Sequence, residues 1–164
     1  KLDSAHILVV TSYPEIEDFC RKYGFTVLKN EGGENTGMAS SIHKAVEYLE
    51  RTDRVLEDRE SFDVFFTADQ PGLDETEAEL FLRQYALQEK KIGTMECEAV
   101  WRSPNVFDAC YRKELLQLSG EKGGKFVMRQ HKEDVFAYHT DRVEQFLDID
   151  TREDLLRISD KLFS

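Results

Sequence analysis

Carboxylates placed at abrupt chain breaks are the first chemically suggestive feature of this sequence. The stretch Phe62-Asp63-Val64-Phe65-Phe66-Thr67-Ala68-Asp69-Gln70-Pro71-Gly72 opens as an apolar, β-branched and aromatic run, the composition of a strand inside a sheet. It stops on Asp69, after which Pro71 and Gly72 turn the chain. A helix pattern follows, with Ala78, Phe81, Leu82 and Tyr85 on one face. A carboxylate at the carboxyl end of a buried parallel strand stands where open α/β sheets bind their ligands. A second acidic break is Leu147-Asp148-Ile149-Asp150-Thr151, where a strand would put Asp148 and Asp150 on one face. Beside Asp69, these acids could hold one hard divalent cation. Mg²⁺ asks for only one or two carboxylates, with water and substrate phosphate oxygens completing its shell. Such an ion would neutralise charge developing during attack on a nucleoside triphosphate. The plainer role is to sit near the start of the last helix and favour its dipole. Spacing alone gives Asp148 that plainer role and leaves Asp69 open between the two.

A second candidate lies at Asn30 to Gly37, a polar, glycine-rich loop that runs into Met38-Ala39-Ser40-Ser41. Glycine lets backbone approach a ligand closely, and a helix start presents free N–H groups, to which Ser40 and Ser41 add hydroxyls. An ordinary loop with a capped helix explains the same residues. The Gly120 to Lys125 turn lacks the spacing of a phosphate loop and the Ser or Thr after the lysine. Lys122 and Lys125 remain available to an anion. His6, His43, His131 and His139 have no metal-ligand spacing, and no Gly-x-Ser-x-Gly nucleophile elbow occurs.

These residues need a scaffold, and 164 residues suffice for one domain with a real core. With 40% hydrophobic and 34% charged residues the chain reads as soluble and globular. Its net charge of −11 argues against adhesion to nucleic acid or an anionic membrane. Cys20, Cys97 and Cys110 are widely spaced, without a Cys-x-x-Cys pair, which suits a reducing, cytoplasmic setting. No run approaches membrane-spanning length and no signal peptide is visible.

Strand and helix patterns alternate along the chain, so the expected architecture is a mainly parallel mixed sheet with helices on both faces. Strands are expected at Ala5 to Thr11 (buried on both faces), Phe25 to Leu28, Ile92 to Thr94, Cys97 to Trp101, Val135 to Tyr138 and Gln145 to Ile149. Helices are expected at Glu15 to Tyr23, from Met38 through Ile42, Ala45, Val46 and Leu49, and from Val106 to Leu118. A short helix should lead to His131, and Thr151 should cap a last one bearing Leu155, Ile158 and Leu162. Ser103-Pro104-Asn105 reads as an interruption, and Thr52 to Ser61 as a solvated connection.

Taken together, Val9-Val10-Thr11-Ser12-Tyr13, Asn30 with Gly37-Met38-Ala39-Ser40-Ser41-Ile42, and Ala68-Asp69-Gln70-Pro71 resemble segments of the MobA-like NTP transferases. So do Ser103-Pro104-Asn105-Val106-Phe107, Leu118 to Gly124, and Asp148 to Leu155; the pattern is most similar to molybdenum cofactor cytidylyltransferases. The resemblance implies a three-layer α/β/α Rossmann-like nucleotidyltransferase fold in a single domain spanning 1–164. It implies transfer of a cytidylyl group from CTP to molybdopterin with Mg²⁺ and release of pyrophosphate. Asp69 and Asp150 would then be the metal-binding, catalytic pair, and Asn30, Gly37, Ser40 and Ser41 would lie against the nucleotide. Gln70, Pro71, Ser103, Pro104 and Lys122 would face the pterin. A molybdoenzyme or its chaperone would be the protein partner. The family's usual first strand, with its Leu-Ala-Ala-Gly loop and phosphate-gripping lysine, has no counterpart, and its absence should expose a hydrophobic slot in the sheet. Ser103 stands where a glycine is usual and Glu121 where an aspartate is usual. The alternatives are a degenerate, non-catalytic nucleotide-binding or assembly protein of the same fold, and a sugar-phosphate nucleotidyltransferase.

Overall fold

The computed structural model describes residues 7–30, 37–53 and 61–156. His6, Asn35, Thr36, most of the charged connection after Thr52, and Ile158 and Leu162 lie outside the described residues. The chain divides into two compact units, the first made of 1–61 with 109–130 and the second of 62–108 with 131–164.

In the first unit, β1 (Leu8–Thr11) and β2 (Thr26–Lys29) pair in parallel, in register from Leu8↔Thr26 to Thr11↔Lys29. The helix α1 (Pro14–Lys22) connects them. Pro14 opens it, where a missing N–H costs nothing, and Gly24 at φ +77° ends it. Strand β1 is only half-buried, and Ile7 is exposed, so burial on both faces is not found among the described residues. Helix α2 (Met38–Asp53) packs on β1 and on α4 (Arg112–Leu115), burying Ala39, Ile42 and Val46 from its apolar face. Beyond α4, α5 (Gly124–Gln130) buries Val127 and Met128.

The second unit holds a mixed four-stranded sheet in the order β3-β5-β4-β6, formed by Phe62–Phe65, Val100–Asp108, Ile92–Cys97 and Val135–His139. Strand β6 runs parallel to β4, whereas β5 runs antiparallel to both of its neighbours. Helix α3 (Glu75–Tyr85) packs on β6. Its buried Phe81, Leu82 and Tyr85 form one core with Met95, Cys97, Val106 and Phe146. Burying such side chains contributes about 1.5–3 kcal/mol each, which fixes the sheet that carries the Asp69 loop.

Several expectations are corrected. Val106 to Asp108 continue β5 and do not begin a helix; helical structure starts only at Ala109 as a 3₁₀ turn. Ser103-Pro104-Asn105 does not break the strand either. Thr94 pairs with Asn105 but Met95 pairs with Arg102, so Ser103 and Pro104 are bulged out of the ladder, where proline's missing donor is tolerated. Residues 143–146 form a 3₁₀ turn and 147–150 are irregular, so Asp148 and Asp150 do not share a strand face. Strand β3 ends at Phe65 and pairs antiparallel with β5, so Asp69 follows it in a turn and does not terminate a buried parallel strand.

Candidate functional site

The first unit brings three of the nucleotide candidates into one bonded group. Asn30 follows β2 directly and is buried, its backbone N–H donating to the Thr11 carbonyl at 2.7 Å. The Asn30 amide then meets α2 with both ends. Its Oδ1 accepts from Ser40 Oγ at 3.0 Å, and its Nδ2 donates to Ser41 Oγ at 3.1 Å. A strand end and a helix start are thereby locked through one asparagine.

Gly37 is the fourth, and its lack of a side chain is required. A Cβ there would collide with the Gly120 carbonyl oxygen and lie 2.6 Å from Glu121 Oε1. The helix start does not offer free N–H groups, contrary to the expectation from sequence. Met38 N–H donates to Glu121 Oε2 at 3.4 Å, Ala39 N–H to Gly120 O at 3.1 Å, and Ser40 N–H to Gly37 O at 3.0 Å. The chain caps its own helix with a carboxylate, which the helix dipole favours. Lys122 is exposed, with Nζ 4.3 Å from the centre of the Phe126 ring.

The second unit joins the two acidic breaks. Ile149 N–H donates to the Asp69 carbonyl at 2.9 Å, and Gln70 Nε2 donates to Asp148 Oδ1 at 2.8 Å. Asp69 and Asp150 are both exposed on these adjoining segments, while Asp148 is occupied by Gln70. Gln70 Oε1 is buried with no hydrogen-bond partner among the described residues. Pro71 is exposed on the same turn. Ser103 is 7% exposed and faces inward, its Oγ accepting from Thr67 N–H at 3.2 Å and donating to Phe65 O at 3.4 Å. Pro104 beside it is fully buried, and their peptide bond is cis. The pair lies behind the Asp69 loop and holds its root.

Behind the loop's far end, Gln145 is fully buried. Its Oε1 accepts from Asp74 N–H at 3.1 Å and its Nε2 bonds Glu77, so it fixes the start of α3. Asp74 caps that helix by accepting from Glu77 N–H at 3.1 Å, and it also binds Arg142 at 2.7 Å. The Arg142 hydrogen bond, followed by that from Glu77 N–H, holds the Asp74 carboxyl below its ordinary range. Gln145 reads in sequence as one residue of a strand, and only its polarity beside Phe146 and Leu147 hints otherwise. Thr151 and Asp154 complete the acidic segment as a reciprocal cap, with Thr151 N–H and Oγ both donating to Asp154 Oδ2 at 3.0 and 2.7 Å.

Among the described residues, no group of three or more His, Cys, Asp or Glu side chains is placed to hold a metal ion. Asp69 and Asp150 supply two exposed carboxylates on bonded segments, and Mg²⁺ or Mn²⁺ asks for as few as one or two when phosphate and water supply the rest. No described helix is long and apolar enough to cross a membrane.

No curated protein sequence matches the chain. Solved structures do. The CMP:2-keto-3-deoxy-manno-octonic acid synthetase complexed with CTP aligns at a TM-score of 0.71 and 10% identity, covering 99% of this chain and 82% of that one. A manganese complex of Rv0371C from Mycobacterium tuberculosis H37Rv aligns at 0.69 and 18% identity, covering 94% and 77%. Molybdopterin-guanine dinucleotide biosynthesis protein A from Archaeoglobus fulgidus aligns at 0.64 and 13% identity, also covering 94% and 77%. These likenesses show an α/β Rossmann-like nucleotidyltransferase fold with a mixed sheet. The sequence profile of the MobA-like NTP transferase domain matches residues 1–135. The chain therefore belongs to the MobA-like NTP transferase family, whose chemistry is transfer of a nucleoside monophosphate group from a nucleoside triphosphate to a small-molecule acceptor.

Proposed function

We propose that this chain is a cytidylyltransferase that joins the CMP group of CTP to molybdopterin with Mg²⁺ and releases pyrophosphate. The observation that carries the reading is the bond from Ile149 N–H to the Asp69 carbonyl, which brings the two acidic segments together. Asp69 and Asp150 would hold the divalent ion, which supplies neutralisation of the charge that builds on the phosphates. No covalent intermediate is needed, because phosphoryl chemistry of this kind depends on positioning and electrostatics. In the first unit, Gly37 and the Asn30–Ser40–Ser41 group would lie against the nucleotide, and Lys122 would meet an anion. In the second, Gln70 Oε1 is a buried acceptor with no partner among the described residues, and pterin rings carry N–H donors. Pro71 would flank the acceptor, while Ser103 and Pro104 shape the loop from behind. We take the whole chain as one functional domain of the family.

A sugar-acid acceptor is the second reading, favoured by the fold likeness to the synthetase complexed with CTP. Both readings begin with the same experiment. CTP and GTP are titrated with and without Mg²⁺ while the thermal midpoint is followed. A ligand present at 100 times its Kd stabilises by about 2.7 kcal/mol, or about 5–11 °C for a chain of this size. The expected result is a Mg²⁺-dependent rise with CTP that Asp69→Asn abolishes. Pyrophosphate release with molybdopterin, and separately with sugar-acid acceptors, then identifies the acceptor. No shift with either nucleotide would refute the transferase reading for this chain.

A further inference from the structure

We propose that Glu121 is a positioning residue for nucleotide binding, acting through the backbone of the first turn of α2. The proposal rests on the reading above that Ser40 and Ser41 lie against the nucleotide. The turn at 119–124 is fitted to that helix start at three points. Glu121 Oε2 accepts from Met38 N–H at 3.4 Å, and Gly120 O accepts from Ala39 N–H at 3.1 Å. At the third point, a Cβ on Gly123 would collide with Met38 Sδ. Gly120 takes φ +60°, a left-handed conformation that side-chain-bearing residues adopt at a cost, and this aims its carbonyl at the helix. Gly37 admits the turn so closely that a Cβ would lie 2.6 Å from Glu121 Oε1.

The consequence concerns the two serines next in the chain. Ser40 and Ser41 are held from the other side by Asn30, itself tied to Thr11. Their position is therefore set by two braces, Asn30 from the β2 end and the Glu121 turn from α4 and α5. Glu121 contributes a full negative charge at the positive end of a sixteen-residue helix, where it is favoured by the dipole. Without it, the Met38 amide loses its acceptor and the first turn frays at its first residue, leaving the Gly120 carbonyl on Ala39 N–H and the Asn30 brace to hold the serines. A rival role makes the opposite forecast: a carboxylate that merely occupied the place of an incoming phosphate would weaken binding, and its removal would tighten it.

Glu121→Ala and Glu121→Gln distinguish these roles. The glutamine keeps an acceptor oxygen for Met38 N–H but not the charge. Amide exchange at Met38 and Ala39 and the Kd for Mg²⁺–CTP are measured for both variants and the wild type. The expected result is faster exchange at Met38 in Glu121→Ala and a Kd raised about tenfold, with Glu121→Gln within about threefold of wild type on both readouts. Rescue by glutamine separates positioning from a general loss of fold. Nucleotide binding by the wild type and unchanged or tighter binding by Glu121→Ala overturns this inference and leaves the transferase reading standing. A wild type that binds neither CTP nor GTP overturns both.

Discussion

Ser103→Ala is the sharpest test of how the Asp69 loop is held. The Ser103 hydroxyl accepts from Thr67 N–H at 3.2 Å and donates to the Phe65 carbonyl at 3.4 Å, with the residue 7% exposed. Alanine fits the same space, so the perturbation is confined to those two bonds. The 3.4 Å bond joins two uncharged groups near the outer limit of length and contributes little, unlike one to a carboxylate. Losing the other strands the Thr67 amide, which in full burial would cost about 1–3 kcal/mol. Thr67 itself is exposed, so water can reach the loop and the lower end applies. The expectation is therefore about 1–1.5 kcal/mol, a fall of about 2–6 °C in the thermal midpoint at this chain length. Scanning calorimetry measures the midpoint, and amide exchange at Thr67 reports whether the loss is local. If Asp69 binds a divalent ion, Mn²⁺ affinity should fall alongside, because Thr67 lies two residues before Asp69 at the loop's root. An unchanged midpoint together with unchanged exchange at Thr67 would show that Ser103 does not anchor the loop.

Two further outcomes follow from packing and charge. Gly93→Ala places a Cβ 2.7 Å from the Tyr85 ring and 3.3 Å from Phe81, both buried side chains of α3, so the helix must shift. Overpacking of that kind costs about 1–3 kcal/mol, read as a lower urea midpoint with an unchanged slope; an unmoved midpoint would mean the α3–β4 contact is looser than described. Asp74, whose folded pKa is depressed chiefly by Arg142, contributes stability present above its unfolded value of about 3.9 and lost as pH falls through its lower folded value. Asp74→Asn, which keeps an N-cap oxygen, should therefore melt below wild type near neutrality and converge with it in acid. A gap that stays constant or widens as the pH falls below the ordinary carboxylate range would contradict that sign.

The features that were legible from sequence are those fixed by local chemistry. The α1 boundaries follow from Pro14 and Gly24, whose backbone preferences act without help from the rest of the fold. The α2 face at Ile42 and Val46, and the α3 face at Phe81, Leu82 and Tyr85, follow from helical periodicity, and each is buried. Sequence leaves open whether the second acidic segment lies beside Asp69; the two segments do meet, but not as strand ends. An exchange between loop backbones, Ile149 N–H to Asp69 O, replaces two neighbouring strand ends.

What could not be read was set by long-range pairing. Glu98 and Ala99 take φ +52° and +57° between β4 and β5, closing a two-residue hairpin that normally announces itself with Asn or Gly. With no such signal, Cys97 to Trp101 looks like one strand when it is in fact a turn flanked by two. The same error hides β5, because Ser103-Pro104 reads as a break unless its bulge against Thr94 and Met95 is known. Once β5 is lost, the apolar spacing of Phe107, Tyr111 and Leu115 passes for a helix, although Phe107 is paired with Asp63 and Ile92 on either side. The hidden strand is also the one that carries Ser103 to Phe65 and Thr67. Its pairing therefore decides both the sheet and the root of the Asp69 loop, so scaffold and site share a single long-range interaction.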